Sequence, residues 1–300
     1  MPAPELFPPA LLARLAGYRL VSRQPARAAA GGSWRSRLKG GTVEFADYRE
    51  YSPGDEPRRV DWKAYARLRR LYVKEYLDER EDRILFLIDT SASMDFGGAH
   101  HKGLFALKLA AGLGSCALSN QDSLAVFSPG GGRAPRLFPP ARGLKALPRL
   151  QEFLANLNFG GQEDLATALK RARQQLPRLQ GLYVFSDFLY PDGIEQLLRE
   201  AAGAAMEVNL LQILAPEERE TFGEGDWHYL DAETGERLEV TLTPAVLAAY
   251  RKRLEQYQAE LKAACRRWGA RYVTLDSSAP VSATLLQTLV REGVLQPRGY

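Results

Sequence analysis

Short apolar segments alternate with longer segments of helical period from residue 83 onward. The apolar segments are ILFLI, SLAVFS, GLYVFS, VNLLQIL and RYVTL, and each has the length and continuity of a strand buried on both faces. Between them lie KGLFALKLAAGLGSCALS, LPRLQEFLANL, DLATALKRARQQL and GIEQLLREAAGAA, each long enough for a crossover helix. This alternation predicts an α/β fold with a mainly parallel sheet and helices on both faces.

Two further segments predict antiparallel structure. TVEFADYREY and LRRLYVKEYLDE, rich in Val, Tyr and Phe and separated by the turn signal SPGD, indicate a small β unit between residues 42 and 76. WHYLDAETGERLEVTL, at about 226–242, indicates a β-hairpin that turns at ETGE. The hairpin interrupts the strand–helix alternation, so we predict an insertion at this point.

A long helix is predicted after the hairpin. Thr243 can cap its first turn, and Pro244 suits its first helical position. Apolar residues recur at helical spacing along one stripe, which consists of Leu247, Tyr250, Leu254, Tyr257, Leu261 and Trp268. We expect this stripe to lie along the core, because a single helix of this length is too short to indicate a coiled-coil partner.

The first 80 residues differ in character from the rest. PALLARLAGYRL predicts a short helix, and SRQPARAAAGG predicts a Pro/Ala/Gly linker with little to pack. The predicted organisation is an N-terminal helix and linker at 1–30, a small β extension at 31–80, and an α/β domain at 81–300 that contains the hairpin.

Composition favours a soluble cytoplasmic protein. No apolar run approaches the roughly 20 residues that span a bilayer, and MPAPELFPPALLARLAGYRL lacks the basic start and small-residue cleavage site of a secretory signal. Cys116 and Cys265 lie far apart in Ala/Leu-rich segments, without CxxC spacing or a nearby histidine pair. We expect both cysteines to be reduced and buried.

The net charge of +4 is concentrated in the first quarter of the chain, where basic residues are interleaved with aromatic ones. Arg58, Arg59 and Trp62 are the candidate partner-binding residues there, since such a mixture can contact phosphates and stack on bases. Asp55 and Asp61 lie among them, which favours internal ion pairs and a polar lock between the β unit and the sheet. Docking of an acidic partner or of nucleic acid is the alternative.

Three oxygen-bearing side chains follow the predicted central strand ILFLI. Asp89, Ser91 and Ser93 form the pattern D-x-S-x-S at the carboxyl edge of the sheet, where open α/β sheets bind ligands. Hard divalent cations such as Mg²⁺ prefer oxygen ligands and need few carboxylates. The pattern alone is common in chains of this length, so its position after a central strand is what makes it a candidate metal site.

Two other loops are predicted to reach the same edge. LYVFSDF ends a neighbouring strand with Asp187, and FGGQEDLATAL opens a helix with Gln162, Glu163 and Asp164. Convergence of three loops indicates a site. The alternative is a structural role, in which Asp89 caps a turn, the two serines begin a helix and Asp187 caps the helix that follows it.

Catalysis finds little support in the residues. Haloacid-dehalogenase phosphatases also place an aspartate after the first strand, but they need a second acid two residues later, where this chain has Ser91. His100 and His101 are adjacent without HExxH spacing and His228 is isolated, so we expect surface or capping roles. The sequence has no P-loop, Rossmann glycine fingerprint or G-x-S-x-G. We predict a protein that is not an enzyme, with a metal-dependent phosphatase-like hydrolase as an alternative.

The order of strand, D-x-S-x-S, Gly-Gly loop, strand and Ser-Asp resembles a von Willebrand factor A domain with its metal-ion-dependent adhesion site. More narrowly, GGSWRSRLKGGTVEFADYREYSPGDEPRRVDWKAYAR, followed by LYVKEY and LFLIDTSASM, is similar to the bacterial family known as domain of unknown function fifty-eight. The resemblance runs from about Gly31 to the C-terminus. It implies a Rossmann-like von Willebrand factor A fold, to which the β extension and the hairpin are additions.

The resemblance also implies roles for the residues of the D-x-S-x-S loop. Ser91 and Ser93 would bind Mg²⁺ directly, with Mn²⁺ or Ca²⁺ as alternatives, and Asp89 and Asp187 would act largely through water. A carboxylate from a partner protein would fill the open position on the ion.

Two positions depart from the family pattern. Gln162 or Glu163 stands where a threonine ligand is expected, with Asp164 following, so these three are the uncertain candidates for the third loop. Trp34 stands where we expect a histidine before Arg35.

A MoxR-type AAA+ ATPase is the partner that the resemblance implies, with the von Willebrand protein acting as adaptor or co-chaperone in assembling or remodelling other proteins. We therefore expect a non-enzymatic, divalent-metal-dependent protein-interaction module whose client offers an acidic side chain. No small-molecule substrate is expected.

Overall fold

The computed structural model describes residues 9–21, 44–52, 60–77, 83–162, 164–190, 193–219, 225–232 and 235–298. The chain divides into two compact units. The larger unit consists of Met1–Pro25 and Asp82–Tyr300, and the smaller unit of Ala26–Glu81. The N-terminal helix therefore belongs to the same unit as the α/β part of the chain.

The strands of the described residues are, in chain order, β1 Tyr18–Leu20, β2 Glu44–Glu50, β3 Tyr72–Leu77, β4 Arg83–Ile88, β5 Ser123–Ser128, β6 Arg136–Ala141, β7 Gly181–Ser186, β8 Glu207–Leu214, β9 Gly225–Leu230, β10 Arg237–Leu242, β11 Arg271–Asp276 and β12 Leu295–Pro297. The helices are α1 Pro9–Leu15, α2 Trp62–Leu68, α3 Lys102–Ser119, α4 Leu147–Ala155, α5 Leu165–Gln175, α6 Ile194–Gly203, α7 Pro216–Arg219 and α8 Pro244–Arg267. A last helical segment runs from Val281–Ala283 through a π-helical turn at Thr284–Thr288 to Leu289–Arg291.

The central sheet of the larger unit has the strand order β11–β8–β7–β4–β5–β6. Neighbouring strands pair in parallel, except that β6 runs antiparallel to β5. The predicted α/β fold with a mainly parallel sheet is confirmed. All five of the apolar segments that predict strands form strands of this sheet.

Strand β4 is buried on both faces because the two faces carry separate apolar cores. Ile84, Phe86 and Ile88 belong to a cluster that includes residues of α3, α4 and the last helical segment. Leu85 and Leu87 point the other way, into a cluster that includes residues of α5, α6 and α8. Alternation across the strand thus explains why ILFLI has no polar position.

The sequence pattern does not predict β1, β6 or β12. Strand β6 contains Pro139 and Pro140, which cannot donate ladder hydrogen bonds, and it is accommodated because it lies at the edge of the sheet. Strands β1 and β12 pair antiparallel, with Leu20 opposite Leu295. Helix α1 buries Leu15 completely in the same core as α3.

The predicted hairpin is formed by β9 and β10, which pair antiparallel from Leu242↔Gly225 to Arg237↔Leu230. Thr243 caps α8 as predicted, because its Oγ1 accepts a hydrogen bond from the Val246 amide at 3.3 Å. Most residues of β9 and β10 are exposed to solvent.

The expectation that the whole apolar stripe of α8 lies along the core is wrong for its first half and for its last residue, Trp268, which is 36% exposed. Leu261, Ala264 and Cys265 are the buried residues of the helix, whereas Tyr250 is 38% exposed. The cause is length: 24 residues of helix extend about 36 Å, while the six residues of the neighbouring β11 extend only about 20 Å. The first half therefore projects past the edge of the core.

In the smaller unit, β2 and β3 form the predicted antiparallel pair, with Glu50 opposite Tyr72. Helix α2 between them is not predicted by the sequence pattern. It begins where the Asp61 side chain accepts a hydrogen bond from the Ala64 amide at 3.1 Å, so Asp61 acts as a helix cap. Trp62, a candidate partner-binding residue, is 61% exposed on this helix.

Several N-terminal expectations fall outside the described residues. Arg58 and Arg59, the other two candidate partner-binding residues, and Asp55 of the expected polar lock lie in the undescribed range 53–59. Trp34 lies in the undescribed range 22–43. Within the part of the chain that the structure does describe, no helix has the length and apolar character needed to cross a membrane.

Both cysteines are free and buried, as predicted. Burial raises the pKa of the Cys116 thiol to about 12, and burial likewise raises the pKa of Cys265 to about 12. Both thiols are therefore protonated and shielded at pH 8. We expect native protein at pH 8 to release no thionitrobenzoate from Ellman's reagent within minutes, and two equivalents after unfolding in guanidinium. Rapid reaction of either thiol in the native state would contradict the burial described here.

Candidate metal site at the carboxyl edge of the sheet

The strand order reverses between β4 and β7, which lie side by side at the centre of the sheet. The connection that follows β4 contains α3 on one face, and the connection that follows β7 contains α6 on the other. Loops that diverge in this way leave a crevice where open α/β sheets bind ligands. Asp89 follows β4 and Asp187 follows β7, so the two carboxylates meet at this crevice as predicted.

The D-x-S-x-S loop folds so that its hydroxyl groups converge. The Ser91 amide donates a hydrogen bond to Asp89 Oδ1 at 2.9 Å, and the hydroxyl oxygens of Ser91 and Ser93 lie 3.0 Å apart. A 3-10 turn at Ala92–Met94 follows, and its Met94 side chain is fully buried. The buried methionine anchors the loop, which holds both serines at the crevice.

Two glycine-rich loops, at 160–161 and 130–132, pack beside the D-x-S-x-S loop and line the crevice. The Gly160 amide donates to the Thr90 carbonyl at 2.9 Å, and the Ala92 amide donates to the Gly161 carbonyl at 3.0 Å. Gly131 belongs to the second loop, and a Cβ at this position would lie only 2.0 Å from the Asn158 carbonyl oxygen. The loops therefore pack backbone against backbone, which side chains at these positions would prevent.

A cavity of about 70 Å³ lies between these loops. It is lined by Asp89, Thr90, Ser91, Pro129, Gly131, Gly132, Arg133, Gly160 and Gln162. The loop at 129–133 was not predicted from the sequence, and neither Asp187 nor Ser93 lines the cavity. Gln162, one of the uncertain candidates for the third loop, is thus brought to the same cavity as Asp89 and Ser91. The lining is mixed polar and apolar, and the space holds more than one water-sized group.

Asp89 is a buried carboxylate that lacks a neighbouring cation in hydrogen-bond contact among the described residues. Burial, followed by the charge of Asp187, raises its pKa from 3.8 to about 6, and a hydrogen bond from Ser186 Oγ to Asp89 Oδ2 at 2.5 Å opposes the rise. The ionised form is therefore costly in the protein alone. A positive charge in the crevice would relieve this cost.

Asp187 differs from Asp89 because it has a cationic partner that the sequence analysis missed. Lys102 Nζ lies 2.6 Å from Asp187 Oδ2 and also contacts Glu218 Oε1. The sequence does not distinguish Lys102 from Lys108 of the same helix, which is exposed, and the structure is what shows that Lys102 is buried, where a lysine needs an acidic partner. The sequence does not identify which acids these are.

Asp164, one of the uncertain metal candidates, has a structural role that was not predicted for it. It is the N-cap of α5, where its carboxylate accepts hydrogen bonds from the Ala166 and Thr167 amides at 3.2 and 2.9 Å. Glu163 lies outside the described residues. Asp187 does not cap α6, whose N-cap is Gly193. Gln162 is therefore the third-loop candidate that the structure places at the cavity.

The hydroxyl of Tyr190 is buried within electrostatic range of Asp89, Asp164 and Asp187. Burial, followed by the charges of Asp89, Asp164 and Asp187, raises the pKa of this phenol well above its usual value. Its oxygen is buried without a hydrogen-bond partner in the described part of the protein. A buried hydroxyl close to carboxylates is a position that ordered water or a hydrated ion would satisfy.

The donor set of the crevice consists of oxygen atoms. Among the described residues, no three His, Cys, Asp or Glu side chains form a group that holds a metal ion by themselves. The hydroxyls of Ser91 and Ser93, the amide of Gln162 and the nearby carboxylates fit a hard divalent cation that retains several waters, rather than a zinc-type ion.

The histidines have the surface and capping roles expected of them. His101 caps α3, where its Nδ1 accepts from the Leu104 amide at 3.2 Å, and its Nε2 lies 2.8 Å from Asp95 Oδ1. His228 is an exposed residue of β9 beside Glu239. None of these contacts lies at the cavity.

Known proteins resemble this chain over most of its length. It is 28% identical over 297 residues to the uncharacterized proteins Mb1516 of Mycobacterium bovis and Rv1480 of Mycobacterium tuberculosis, which covers 97% of this chain and 93% of each relative. Among solved structures, BatB of Bacteroides thetaiotaomicron aligns at a TM-score of 0.41 with 14% identity, over 70% of this chain and 98% of that one. An aerotolerance-related membrane protein of Bacteroides fragilis aligns at 0.41 with 15% identity, over 71% and 98%. Both structural likenesses are distant.

Residues 47–260 match the family described as "Protein of unknown function DUF58". The match extends from the β2–β3 pair through the whole crevice to the middle of α8. Since it covers more than half of the chain, this protein belongs to the DUF58 family.

Proposed function

We propose that the larger unit is a Rossmann-like von Willebrand factor A domain that binds another protein through a divalent cation. The observation that carries the proposal is the pair of serine hydroxyls, 3.0 Å apart, in the loop that begins at Asp89, the carboxylate on which the charge of Asp187 acts. The strand order, with one antiparallel strand at the edge and a reversal between β4 and β7, supports the fold assignment.

Each residue of the crevice has a role in this proposal. Ser91 and Ser93 would hold the ion directly, Asp89 and Asp187 would act through water, and the Gln162 amide would take the place of the threonine. Bound there, a divalent cation supplies a positive charge to which a carboxylate of another protein can bind. The loop contacts through Gly160 and Gly161 keep the donors in place before binding.

The partner in this proposal is a MoxR-type AAA+ ATPase or a client that it remodels, and the protein acts as their cytoplasmic adaptor. It is not proposed as an enzyme, because Ser91 occupies the position where a phosphatase-like hydrolase needs its second acid. The two buried, reduced cysteines fit a reducing compartment.

Thermal unfolding of the wild type and of Ser91→Ala/Ser93→Ala tests the metal site. With Mg²⁺ or Mn²⁺ at about 100 times the Kd, binding to the folded state adds about 2.7 kcal/mol, which raises the wild-type midpoint by roughly 5 °C over its value in EDTA. The double variant is expected to show no such rise. Ser282→Ala is the control, because this serine lies on the exposed surface away from the crevice and should respond like the wild type.

Binding to the purified ATPase tests the partner. Complex formation that requires Mg²⁺ and is lost in EDTA and in Ser91→Ala/Ser93→Ala supports the proposal. No midpoint shift with either ion at millimolar concentration, for wild type and control alike, contradicts the metal site itself.

A second candidate function has one observation in its favour. Trp62 and Tyr65 are exposed on α2 in an edge-to-face pair, with ring centroids 6.2 Å apart, in the basic quarter of the chain. Such aromatics can stack on bases of nucleic acid or meet an acidic partner. An affinity for nucleic acid or for an acidic partner that falls steeply with salt concentration and does not change when EDTA is added would favour this function over the metal-dependent one.

A further inference from the structure

A fully buried ammonium group lies beside the candidate metal site. The side chain of Lys102 is 0% exposed, and its Nζ contacts both Asp187 Oδ2, at 2.6 Å, and Glu218 Oε1. Lys102 is the first residue of α3, directly after the His101 cap, and α3 is buried against the sheet. The position of the ammonium is therefore set by the fold and not by a mobile surface chain.

Two hydrogen bonds, in addition to the contact with Lys102, fix the position of Glu218. Its Oε2 accepts from the Ala215 amide at 2.8 Å, and its carbonyl accepts from the Tyr250 hydroxyl at 2.7 Å. The ammonium is thus shared between Asp187, which follows β7 and whose charge acts on Asp89, and Glu218 on α7, and neither of these two acids lines the cavity.

The buried charges of this region do not balance among the described residues, and the guanidinium of Arg133, which also lines the cavity, belongs to an exposed residue. Asp89, Asp187 and Glu218 are buried or mostly buried carboxylates, whereas Lys102 is the ammonium in contact with two of them. A divalent cation in the crevice and the Lys102 ammonium would act on the same Asp187 carboxylate. Two positive charges separated by one carboxylate repel each other, and the repulsion is stronger in a largely buried site than at the surface.

We propose that Lys102 is a resident cation that limits how tightly the crevice binds divalent ions. Because the Lys102 ammonium already pairs with Asp187, it neutralises part of the negative charge of the site. A divalent ion that binds there therefore gains less electrostatic free energy. The inference rests on the proposed function, since it concerns the same site. A purely structural ion pair would instead affect stability and leave the metal affinity unchanged.

Mn²⁺ binding by the full chain, measured from the electron paramagnetic resonance signal of the free ion, tests this role. We expect Lys102→Met to bind Mn²⁺ at least tenfold more tightly than the wild type, and Lys102→Arg, which keeps the charge, to stay within about threefold. Lys108→Met is the matched control, because it removes the same charge from an exposed position on the same helix and should leave the affinity unchanged.

A second variant keeps the test decisive if Lys102→Met does not fold. Lys102→Met/Glu218→Gln removes both the ammonium and its partner on α7, so no carboxylate of that pair is left buried without a partner, and the net charge stays the same. Asp187 still loses its cation, and Mn²⁺ binding is expected to tighten severalfold. Adding Ser91→Ala/Ser93→Ala to either variant should abolish the gain, which locates it at the crevice.

The outcomes separate this inference from the proposed function. If the wild type binds Mn²⁺ and the Lys102 variants bind no more tightly than Lys108→Met, the resident-cation role is overturned and the metal site stands. If only the Lys102 variants bind Mn²⁺, the role is upheld and metal binding by the wild type is rejected. If no variant binds Mn²⁺, both are rejected.

Discussion

Asp89→Asn is expected to weaken Mn²⁺ binding by about 10- to 100-fold while it raises the stability of the metal-free protein. The weakening follows from loss of the carboxylate that would hold the ion through water. The stabilisation follows from burial: Asp89 is ionised at neutral pH in a site where burial and Asp187 disfavour its charge, and asparagine removes that charge without changing the shape of the side chain. Denaturant unfolding in EDTA at pH 7.5 should show a gain of about 2 kcal/mol.

The pH dependence of this gain has a defined sign. The pKa of Asp89 is raised from 3.8 to about 6 in the folded protein, so the folded state holds its proton more tightly than the unfolded chain does. The carboxylate then costs nothing below about pH 4, and its cost grows as the pH rises to about 6. The advantage of Asp89→Asn should appear over that window and stay constant above it. A variant that is less stable than the wild type at pH 7.5 in EDTA would contradict this description of the site.

Gly131→Ala is expected to be strongly damaging, because it adds a methyl group where two loops of the crevice touch. Gly131 has φ +58°, and an added Cβ would lie 2.0 Å from the Asn158 carbonyl oxygen, which is backbone and cannot move aside without separating the two glycine loops. The strain of a left-handed alanine is about 1 kcal/mol, and the clash should raise the total loss above about 3 kcal/mol. Loss of the metal-dependent midpoint shift should accompany it.

Gly98→Ala is the matched control for this prediction. Gly98 has φ +48°, but no atom lies within 4 Å of the added Cβ, so the variant carries the left-handed strain without the clash. Its loss should be about 1 kcal/mol, with an unchanged response to Mn²⁺. Equal losses for the two variants, measured by denaturant unfolding, would mean that the loops do not pack as described.

The sequence predicts the parts of this fold that depend on local pattern. The strands β4, β5, β7, β8 and β11 are predicted because strands buried on both faces must be continuously apolar, and the cap of α8 is predicted because Thr243 and Pro244 suit its first turn. The convergence of Asp89 with Asp187 is also predictable, since parallel strands end at the same edge of a sheet.

The missed features depend on tertiary context. The sequence pattern does not predict strand β6 because the strand contains Pro139 and Pro140, which are tolerated only at the edge of a sheet. The first half of α8 has an apolar stripe, but nothing in its spacing shows that the core ends before the helix does. Asp164 fits a helix cap and a metal ligand equally well in sequence, and only its hydrogen bonds to α5 distinguish the two.

Lys102 is the most consequential of the missed features. Its partners, Asp187 and Glu218, are 85 and 116 residues away in the sequence, and three different elements must fold before the ammonium meets either of them. The apolar character of α3 does not mark Lys102 as buried, since Lys108 of the same helix is exposed. Neither the burial of Lys102 nor the identity of its acids can therefore be predicted from the sequence.

Crystals of the wild type grown with Mn²⁺ provide the most direct test of the proposed site, through the anomalous scattering of the ion. We expect a single strong anomalous peak within bonding distance of the Ser91 and Ser93 hydroxyls, and no such peak in crystals of Ser91→Ala/Ser93→Ala. A map with no peak at these hydroxyls, at a Mn²⁺ concentration that shifts the unfolding midpoint, would contradict the proposed site and place the metal elsewhere.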